Sequence, residues 1–210
     1  MQSPTPTPKK KRRYATRKLD VIQAAARVFA RLGYHGSSLN DVANELGITP
    51  AALYYYVRSK DELLMEATAY ASGKIEKRFL EICDDKDSSS LRKLLLYFRF
   101  YAECMTDDFG RCLALTSPND LPSPLREASL EQRRELTDMV RRLIREGIAD
   151  GSIQPCDDRL LAFTLYAAAN MLARWYSSSG PQTAGELMDG ILMMLVNGLI
   201  HPPLPDGFPG

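Results

Sequence analysis

Apolar residues recur at helical spacing along most of the chain. Between residues 17 and 32, Ile22, Ala26 and Phe29 follow one another at intervals of four and three, which places them on one helix face. Strand-and-hairpin signals are weak throughout. The pattern predicts an all-α protein of about nine helices. The predicted helices lie near residues 17–32, 38–46, 50–56, 60–82, 90–105, 110–117, 124–149, 157–179 and 183–200.

Residues that start and stop helices are concentrated in the first third of the chain. Ser38 and Asp41 have capping-box spacing, and Gly47 is a typical residue for a helix C-terminus. Thr49-Pro50 combines an N-cap with proline at the first helical position, and the stretch 59–62 is a second capping box. These signals predict two short helices joined by a tight turn, followed by a longer helix from about residue 60.

Residues 38–57 therefore have the arrangement of a helix-turn-helix, whose second helix brings its N-terminal residues to base edges in the major groove. The candidate contacts at that end are Thr49, Pro50, Ala51 and Ala52. Small side chains allow a close approach and contact with thymine methyl groups, but they cannot form bidentate hydrogen bonds to guanine.

Three consecutive tyrosines follow, and they cannot all face a core on a helix of 3.6 residues per turn. At least one of Tyr54, Tyr55 and Tyr56 must expose a hydroxyl that can reach a phosphate. One is expected in the core, with Tyr54 the first candidate. Lys60 lies in the first turn of the next helix, where its charge opposes the helix dipole. A nearby phosphate explains this cation better than helix stability does; a solvated lysine is the alternative.

The net charge of +1 conceals an uneven distribution. Residues 1–60 contain 11 of the 27 basic residues and only three of the 26 acids, which gives +8, and residues 61–210 therefore carry −7. Such asymmetry indicates a polyanion-binding end joined to a different kind of domain.

The most basic stretch comes first. Seven cations lie between Lys9 and Lys18, among them Arg12, Arg13 and Arg17, with no acid between them. We expect residues 1–13 to form a disordered basic arm that follows phosphates or enters the minor groove, with a solvated tail as the alternative. Residues 201–210 are rich in proline and are predicted to form a disordered tail.

The stretch from Leu39 to Leu64, LNDVANELGITPAALYYYVRSKDELL, resembles the DNA-binding motif of the TetR family of bacterial one-component repressors. The similarity covers roughly residues 17–66. It implies a DNA-binding domain at 14–60 and a helical ligand-binding and dimerisation domain at 61–200. It also implies a homodimer, a palindromic double-stranded DNA operator, and release of the operator when an effector moves the helix-turn-helix.

The resemblance assigns roles by position. Ser38 would contact phosphate, and Thr49 to Ala52 would begin the recognition helix. Tyr54 would meet base edges, while Tyr55, Tyr56 and Lys60 would hold phosphates. Many members carry Lys or Arg where Pro50 stands and His-Phe where Tyr56-Val57 stand, so this chain lacks one potential base hydrogen bond.

The last two predicted helices are apolar around much of their circumference, so each should be buried on more than one side. Four helices across a two-fold axis would bury that surface, and the family resemblance implies the same dimer interface. The candidate interface residues are Trp175, Leu187, Ile191, Met194 and Leu195.

Aromatic residues are concentrated near residues 97–109, where they could line an apolar cavity; ordinary core packing is the alternative. The candidate pocket residues are Tyr97, Phe98, Tyr101, Met105, Phe109, Leu113, Tyr166, Asn170 and Arg174. An arginine beside an apolar pocket suits a small hydrophobic or amphipathic effector. The stretch 170–176 is similar to that of family members sensing acyl-CoA thioesters, so an acyl-CoA is one candidate and another hydrophobic effector the alternative.

Other function classes find less support. His35 and His201 have no partners at catalytic or metal-binding spacing, and no phosphate-binding glycine motif is present, which argues against an enzyme, a cofactor or a metal. The four cysteines lack a CxxC pair, as expected of reduced thiols. No membrane span or secretory signal is evident, so we expect a cytoplasmic, nucleoid-associated bacterial protein. A helical interaction module without sequence-specific DNA binding is the remaining alternative.

Overall fold

The computed structural model describes the backbone of residues 8–197 and the side chains of residues 17–197. This part of the chain contains nine α-helices, one 3₁₀ turn at Pro118–Asp120 and no strand, which confirms the all-α prediction. The helices are α1 (Pro8–Leu32), α2 (Leu39–Leu46), α3 (Pro50–Leu53), α4 (Lys60–Cys83), α5 (Ser90–Met105), α6 (Asp108–Leu115), α7 (Ser123–Ala149), α8 (Asp158–Trp175) and α9 (Ala184–Asn197).

Three predicted boundaries are wrong. Helix α3 ends at Leu53 rather than near residue 56. Helix α1 begins at Pro8, so residues 8–13 continue a helix rather than form a disordered arm; proline is well suited to a first helical position. Helix α8 ends at Trp175 rather than near 179. Residues 1–7, the predicted tail at 201–210 and the predicted end of α9 lie outside the described residues, and the domain division at residue 60 stays a prediction.

Helix α1 contacts both the helices α2 and α4 of the N-terminal region and helix α6 further along the chain. Its apolar face packs against α2 and α4, and another part of the helix contacts α6. Beyond α4, helix α5 is central, because it packs against α4, α6, α7, α8 and α9. A contiguous core results, extending from Val21 and Phe29 in α1 to Leu172 in α8 and Leu192 in α9. None of the helices in the described part is long and apolar enough to cross a membrane.

The corner between α5 and α6 is unusually tight. A Cβ atom on Gly110 would lie 1.8 Å from the carbonyl oxygen of Cys104, so only glycine fits this first turn of α6. The amide of Gly110 donates to Oδ1 of Asp107, the N-cap residue of α6. The start of α6 is thereby fixed against the end of α5.

Asp150 links the end of α7 to the start of α5. Its two carboxylate oxygens accept hydrogen bonds from the backbone amides of Ser152 and Ser90, at 2.8 and 3.1 Å. Hydrogen bonds from Ser152 and Ser90 hold the pKa of this carboxyl well below its ordinary value of 3.8. Because the folded-state pKa is depressed, this stabilisation is present above about pH 4 and is lost as the pH falls towards the folded-state pKa.

We expect Asp150→Asn to lower the melting temperature at pH 7, because the amide retains one acceptor oxygen in place of two. The difference from the wild type should shrink as the pH is lowered below 4, where the carboxylate of the unfolded chain is already protonated. Thermal melts between pH 3 and pH 7 measure this. A difference that grows on acidification would contradict the assignment.

Candidate functional site

The turn between α2 and α3 is fixed by local hydrogen bonds. Ser38 and Asp41 form a complete capping box at the start of α2. Gly47 ends α2 in the left-handed conformation, with φ 64°, which favours glycine. The hydroxyl of Thr49 accepts a hydrogen bond from the amide of Ala52 at 3.2 Å and caps α3. The orientation of α3 is therefore set by these caps.

Helix α3 is anchored by one side chain and exposes the rest. Leu53 is completely buried, and Val57 just beyond the helix is nearly so. The four predicted contact residues, Thr49, Pro50, Ala51 and Ala52, are all exposed. The first turn of α3 contains no acidic residue, so the partial positive charge of the helix N-terminus is not neutralised within it. We refer to the surface formed by the exposed side chains of residues 49–52, 54 and 55 as the α3 face.

The three tyrosines do not divide as predicted. Tyr54 and Tyr55 are 58% and 68% exposed, whereas Tyr56 is partly buried against the core. The choice of Tyr54 as the core tyrosine was therefore wrong. Helix α3 ends at Leu53, and the following turn directs Tyr56 inward and leaves Tyr54 outside. The rings of Tyr55 and Tyr56 meet edge to face at 5.2 Å.

Lys60 has partners within the protein. Its Nζ donates to the backbone carbonyls of Tyr34 and Ser37, at 2.6 and 2.9 Å, and lies 4.2 Å from the centre of the Tyr34 ring. These carbonyls account for a cation in the first turn of α4 without a phosphate, an explanation that the sequence analysis did not consider. A phosphate contact by Lys60 stays a prediction that rests on the family resemblance.

Tyr34 reinforces the same junction. Its hydroxyl donates to Oδ1 of Asp61, the residue after Lys60. Burial and this hydrogen bond raise the pKa of Tyr34 to about 12, so the phenol stays protonated at neutral pH. Three hydrogen bonds and one cation–π contact thus connect the turn after α1 to the start of α4.

The described arginines of the first 60 residues differ in whether they form ion pairs. Arg17 is exposed, whereas Arg27 and Arg31 both pair with Glu45, at 3.0 and 3.1 Å. Arg58 is exposed between the tyrosines and α4, and the sequence analysis did not single it out, although it lies inside the recognised motif. The side chains of the predicted contacts Arg12 and Arg13 lie outside the described residues.

Ser38 is already engaged in the cap of α2. Its hydroxyl donates to Asp41 at 2.6 Å, so the predicted contact with a phosphate would compete with this hydrogen bond.

The aromatic side chains of α5 form the centre of the second domain. Tyr97, Phe98 and Tyr101 meet Tyr166 of α8 with ring centres 5.0 to 6.5 Å apart. The hydroxyl of Tyr166 donates to the carbonyl of Leu136 at 2.9 Å, and its oxygen lies 2.9 Å from that of Tyr97, which must therefore be the donor. Burial raises the pKa of both phenols well above its ordinary value.

Most of the predicted pocket residues do not line a common cavity. Tyr97, Phe98 and Met105 are fully buried core residues, and Phe109 packs on Tyr70 with ring centres 4.3 Å apart. Leu113 lines a different, small cavity of about 100 Å³ beside α4. Arg174 is exposed and lines none of the cavities described. Helix phase explains the α5 and α8 residues: α5 points Tyr97, Phe98 and Met105 into packed neighbours, and α8 turns Arg174 outward. Phe109 and Leu113 belong to α6, which packs elsewhere.

A cavity of about 220 Å³ does lie between α5, α7 and α8, and we call it the α5–α7–α8 cavity. Its lining residues are Tyr101, Arg133, Leu136, Thr137, Phe163, Tyr166 and Asn170. Three of them, Tyr101, Tyr166 and Asn170, were predicted. The hydroxyl of Tyr101 donates to Oδ1 of Asn170 at 2.9 Å, which joins α5 to α8 along the wall.

Arg133 is the residue that sequence reasoning missed. Its Nη2 donates to the backbone carbonyls of Leu113 and Thr116, at 3.1 and 2.9 Å, while its Nε is buried without a hydrogen-bond partner. A signal was available, because Arg133 lies three residues before the buried Leu136 and seven before the buried Val140. That spacing places a cation on the apolar stripe of α7.

Both ends of α6 are held by charged groups. At the N-terminus, Oδ2 of Asp108 accepts from Gln23 and Arg27 of α1, at 2.9 and 3.0 Å, and Asp107 pairs with Lys74 at 2.9 Å. At the other end, Arg133 binds the last carbonyls. Helix α6 therefore connects the lining of the cavity directly to the helix that supports the α3 face.

The outer surface of α8 and α9 exposes many large apolar side chains. They are Leu160, Phe163, Met171, Trp175, Met193, Met194, Leu195 and Val196. Three of the predicted interface residues are among them: Trp175 at 56%, Met194 at 50% and Leu195 at 45% exposed. Leu187 and Ile191 are instead partly buried against the core of their own chain.

The described side chains contain no group of three or more potential metal ligands. The four cysteines are free, and burial raises the pKa of Cys104 to about 11 and that of Cys112 to about 12. These two thiols stay protonated at neutral pH and pack as small apolar groups.

We expect Lys60→Met to destabilise the fold by about 1–3 kcal/mol, because two backbone carbonyls lose a charged donor. Chemical denaturation measures this, with Lys77→Met on the exposed side of the same helix as the control. If Lys60 acted only on phosphate, its loss would weaken operator binding and leave the unfolding free energy unchanged.

Comparisons with known proteins agree with this geometry. Residues 21–67 match the family model "Bacterial regulatory proteins, tetR family", and residues 87–199 match "Tetracyclin repressor-like, C-terminal domain". The chain is 26% identical to the HTH-type transcriptional repressor KstR2 of Mycolicibacterium smegmatis, over 88% of this chain and 91% of that protein.

Two further similarities have comparable extent. The chain is 24% identical to the fatty acid metabolism regulator protein of Bacillus subtilis, over 86% of this chain and 94% of the relative. The crystal structure of AibR in complex with isovaleryl coenzyme A and operator DNA superposes with a TM-score of 0.73 at 21% identity. This match covers 85% of this chain and 97% of AibR.

Proposed function

The chain belongs to the TetR family of bacterial regulatory proteins, and from this premise we propose that it is a homodimeric repressor whose operator is released by a small effector. The family and the similar proteins are transcriptional regulators, so the chain is a DNA-binding regulator and not an enzyme. The homodimer, the palindromic operator and the nature of the effector are our proposal.

The observation that carries the proposal is the α3 face. Residues 49–52 are exposed at the N-terminus of a helix without acids in its first turn, and Tyr54 and Tyr55 extend beside them. Small residues permit close approach to base edges, while tyrosine hydroxyls can donate to phosphates. Arg58, three residues after Tyr55, is exposed and adds positive charge. This surface fits a major groove.

Dimerisation through α8 and α9 would cover the apolar side chains that are exposed in one chain. Exposing apolar side chains as large as Trp175 and Met194 to water costs free energy. A two-fold interface would bury the copies of these residues in both subunits. Two α3 faces could then contact half-sites about one DNA turn, roughly 34 Å, apart. A dimer of this kind requires a palindromic operator.

The effector is proposed to be small and hydrophobic or amphipathic, with an acyl-CoA thioester as the leading candidate. AibR is similar in fold and was crystallised with isovaleryl coenzyme A and operator DNA. In this chain, the α5–α7–α8 cavity combines aromatic walls with one partly buried cation, Arg133. The effector would shift the population towards an arrangement in which α4 and the helix-turn-helix no longer match both half-sites. Such a regulator would act in the cytoplasm, at the nucleoid.

We expect Ala51→Glu to weaken operator binding at least about tenfold, because a carboxylate on the α3 face meets the phosphates and cannot bind base acceptors. Folding should be unaffected, since Ala51 is exposed and an acid suits a helix N-terminus. Fluorescence anisotropy with DNA from upstream of the gene measures this, with Ala128→Glu, on an exposed part of α7, as the control.

If Ala51→Glu and Ala128→Glu weaken operator binding equally, the effect is not specific to the α3 face. If the wild type binds no such DNA even at low salt, the repressor is excluded and the helical interaction module remains.

We expect Met194→Glu to convert a dimer into a monomer, because two carboxylates would be buried near the two-fold axis. Light scattering coupled to size-exclusion chromatography measures the mass. Leu80→Glu is the matched control, because Leu80 is 58% exposed on α4, away from α8 and α9. A dimer that survives Met194→Glu, or is lost equally in Leu80→Glu, would contradict this interface.

A further inference from the structure

Arg133 is a partly buried cation without a carboxylate partner. Burial lowers the pKa of its guanidinium from the ordinary value, and the nearby Tyr101 phenol opposes this only in part. Its described partners are the backbone carbonyls of Leu113 and Thr116, both bound through one nitrogen. A planar guanidinium has five N–H donors, and its buried Nε–H has no acceptor. Such an arrangement is costly unless an acceptor arrives from outside the chain.

The hydroxyl groups around the cavity add no donors, because each of their protons is already used within the chain. The proton of Tyr101 is used on Asn170, that of Tyr166 on Leu136, and that of Thr137 on the carbonyl of Arg133 itself. Two kinds of donor are left in the lining: the remaining N–H groups of Arg133, and the amide nitrogen of Asn170, which the bond to Tyr101 does not use. A ligand for this wall must therefore bring oxygen acceptors.

The size of the cavity restricts the rest of the ligand. Its volume of about 220 Å³ is below the roughly 300 Å³ at which typical small-molecule sites begin. Its remaining walls are Leu136 and aromatic rings, which suit a short hydrocarbon chain. A long fatty chain or a fused ring system exceeds this space.

The opening of the cavity also carries positive charge. Phe163 lines it and is 48% exposed, and the guanidinium of Arg159 lies 5.3 Å from the centre of the Phe163 ring. A group that extends from the cavity past Phe163 would meet this cation. Phosphates attached to the acyl group through a linker, as in a coenzyme A thioester, have the complementary charge.

We propose that Arg133 binds the carbonyl or carboxylate oxygen of a short acyl ligand in the α5–α7–α8 cavity. By turning towards this oxygen, its guanidinium releases the carbonyls at the C-terminus of α6. This inference rests on the proposed function, because it names the chemistry of the effector and the residue that recognises it. The other end of α6 is bonded to Gln23 and Arg27 of α1, so loosening α6 alters the support of the DNA-binding helices.

Isothermal titration calorimetry of the full chain without DNA tests recognition independently of operator binding. The probes are butyryl-CoA, sodium butyrate, coenzyme A alone and palmitoyl-CoA. We expect butyryl-CoA to bind more tightly than palmitoyl-CoA and coenzyme A. Binding of butyrate as tight as that of butyryl-CoA would identify the free acid as the ligand, since both present the same oxygen to Arg133.

Arg133→Met should weaken binding of the acyl probe at least about tenfold, because the charged donor is lost, and Arg133→Lys should weaken it less. Arg134→Met is the matched control, since Arg134 is the next residue on α7 and its side chain is 69% exposed. Asn170→Asp provides a second variant that keeps the shape of the wall. It adds a carboxylate to the lining, and should likewise weaken binding at least about tenfold by repelling the acyl oxygen.

Circular dichroism melts confirm that each variant is folded. The proposal is overturned if the wild type binds none of the acyl probes, if palmitoyl-CoA binds most tightly, or if folded Arg133→Met or Asn170→Asp binds butyryl-CoA like the wild type. If operator binding fails while these calorimetric results hold, the proposed repressor function is wrong and the role of Arg133 stands.

Discussion

Helix α6 is eight residues long and is fixed at both ends by charged hydrogen bonds. Its N-terminal acids, Asp107 and Asp108, bind Lys74 of α4 and the donors Gln23 and Arg27 of α1. Its C-terminal carbonyls bind Arg133 of α7. Negative groups at the N-terminus and a cation at the C-terminus both complement the helix dipole. Gly110 lets the first turn of α6 pack closely against the end of α5.

The junction between α1 and α4 would pass a movement of α6 on to the DNA-binding helices. Lys60 and the Tyr34–Asp61 pair bind the start of α4 to the turn after α1, so these elements move together. Helices α2 and α3 are then held by Leu53, Val57 and the caps at Ser38 and Thr49. A rotation of α1 relative to α6 would therefore carry the α3 face with it, without unfolding any element.

The sequence was sufficient for the features that depend on local rules. Capping residues, prolines and glycines located the helix-turn-helix, because their effects act within a few residues of the chain. Tyr54 was misassigned because the 3.6-residue period was extended beyond Leu53, where the helix stops. The Pro8 start of α1 was missed because the prolines at positions 4, 6 and 8 were taken as a sign of disorder, although proline suits a first helical position.

The ligand cavity could not be predicted to the same extent. Tyr97, Phe98 and Tyr101 have the same character in the sequence, yet only Tyr101 lines the cavity, because the choice depends on how α5, α7 and α8 cross. Arg174 attracted attention through its apolar neighbours, although helix phase turns it outward. Arg133 was visible as a cation on an apolar stripe, but its lack of a carboxylate partner emerges only from the packing of α6 against α7.

Hydrogen exchange of α6 tests the coupling of cavity and DNA-binding helices most directly. Amide exchange of residues 108–116 would be measured by mass spectrometry in the wild type, with and without saturating butyryl-CoA. The account predicts faster exchange in this segment when the ligand is bound, because Arg133 leaves the C-terminal carbonyls. Unchanged or slower exchange of the segment, with butyryl-CoA bound and the operator released, would contradict it.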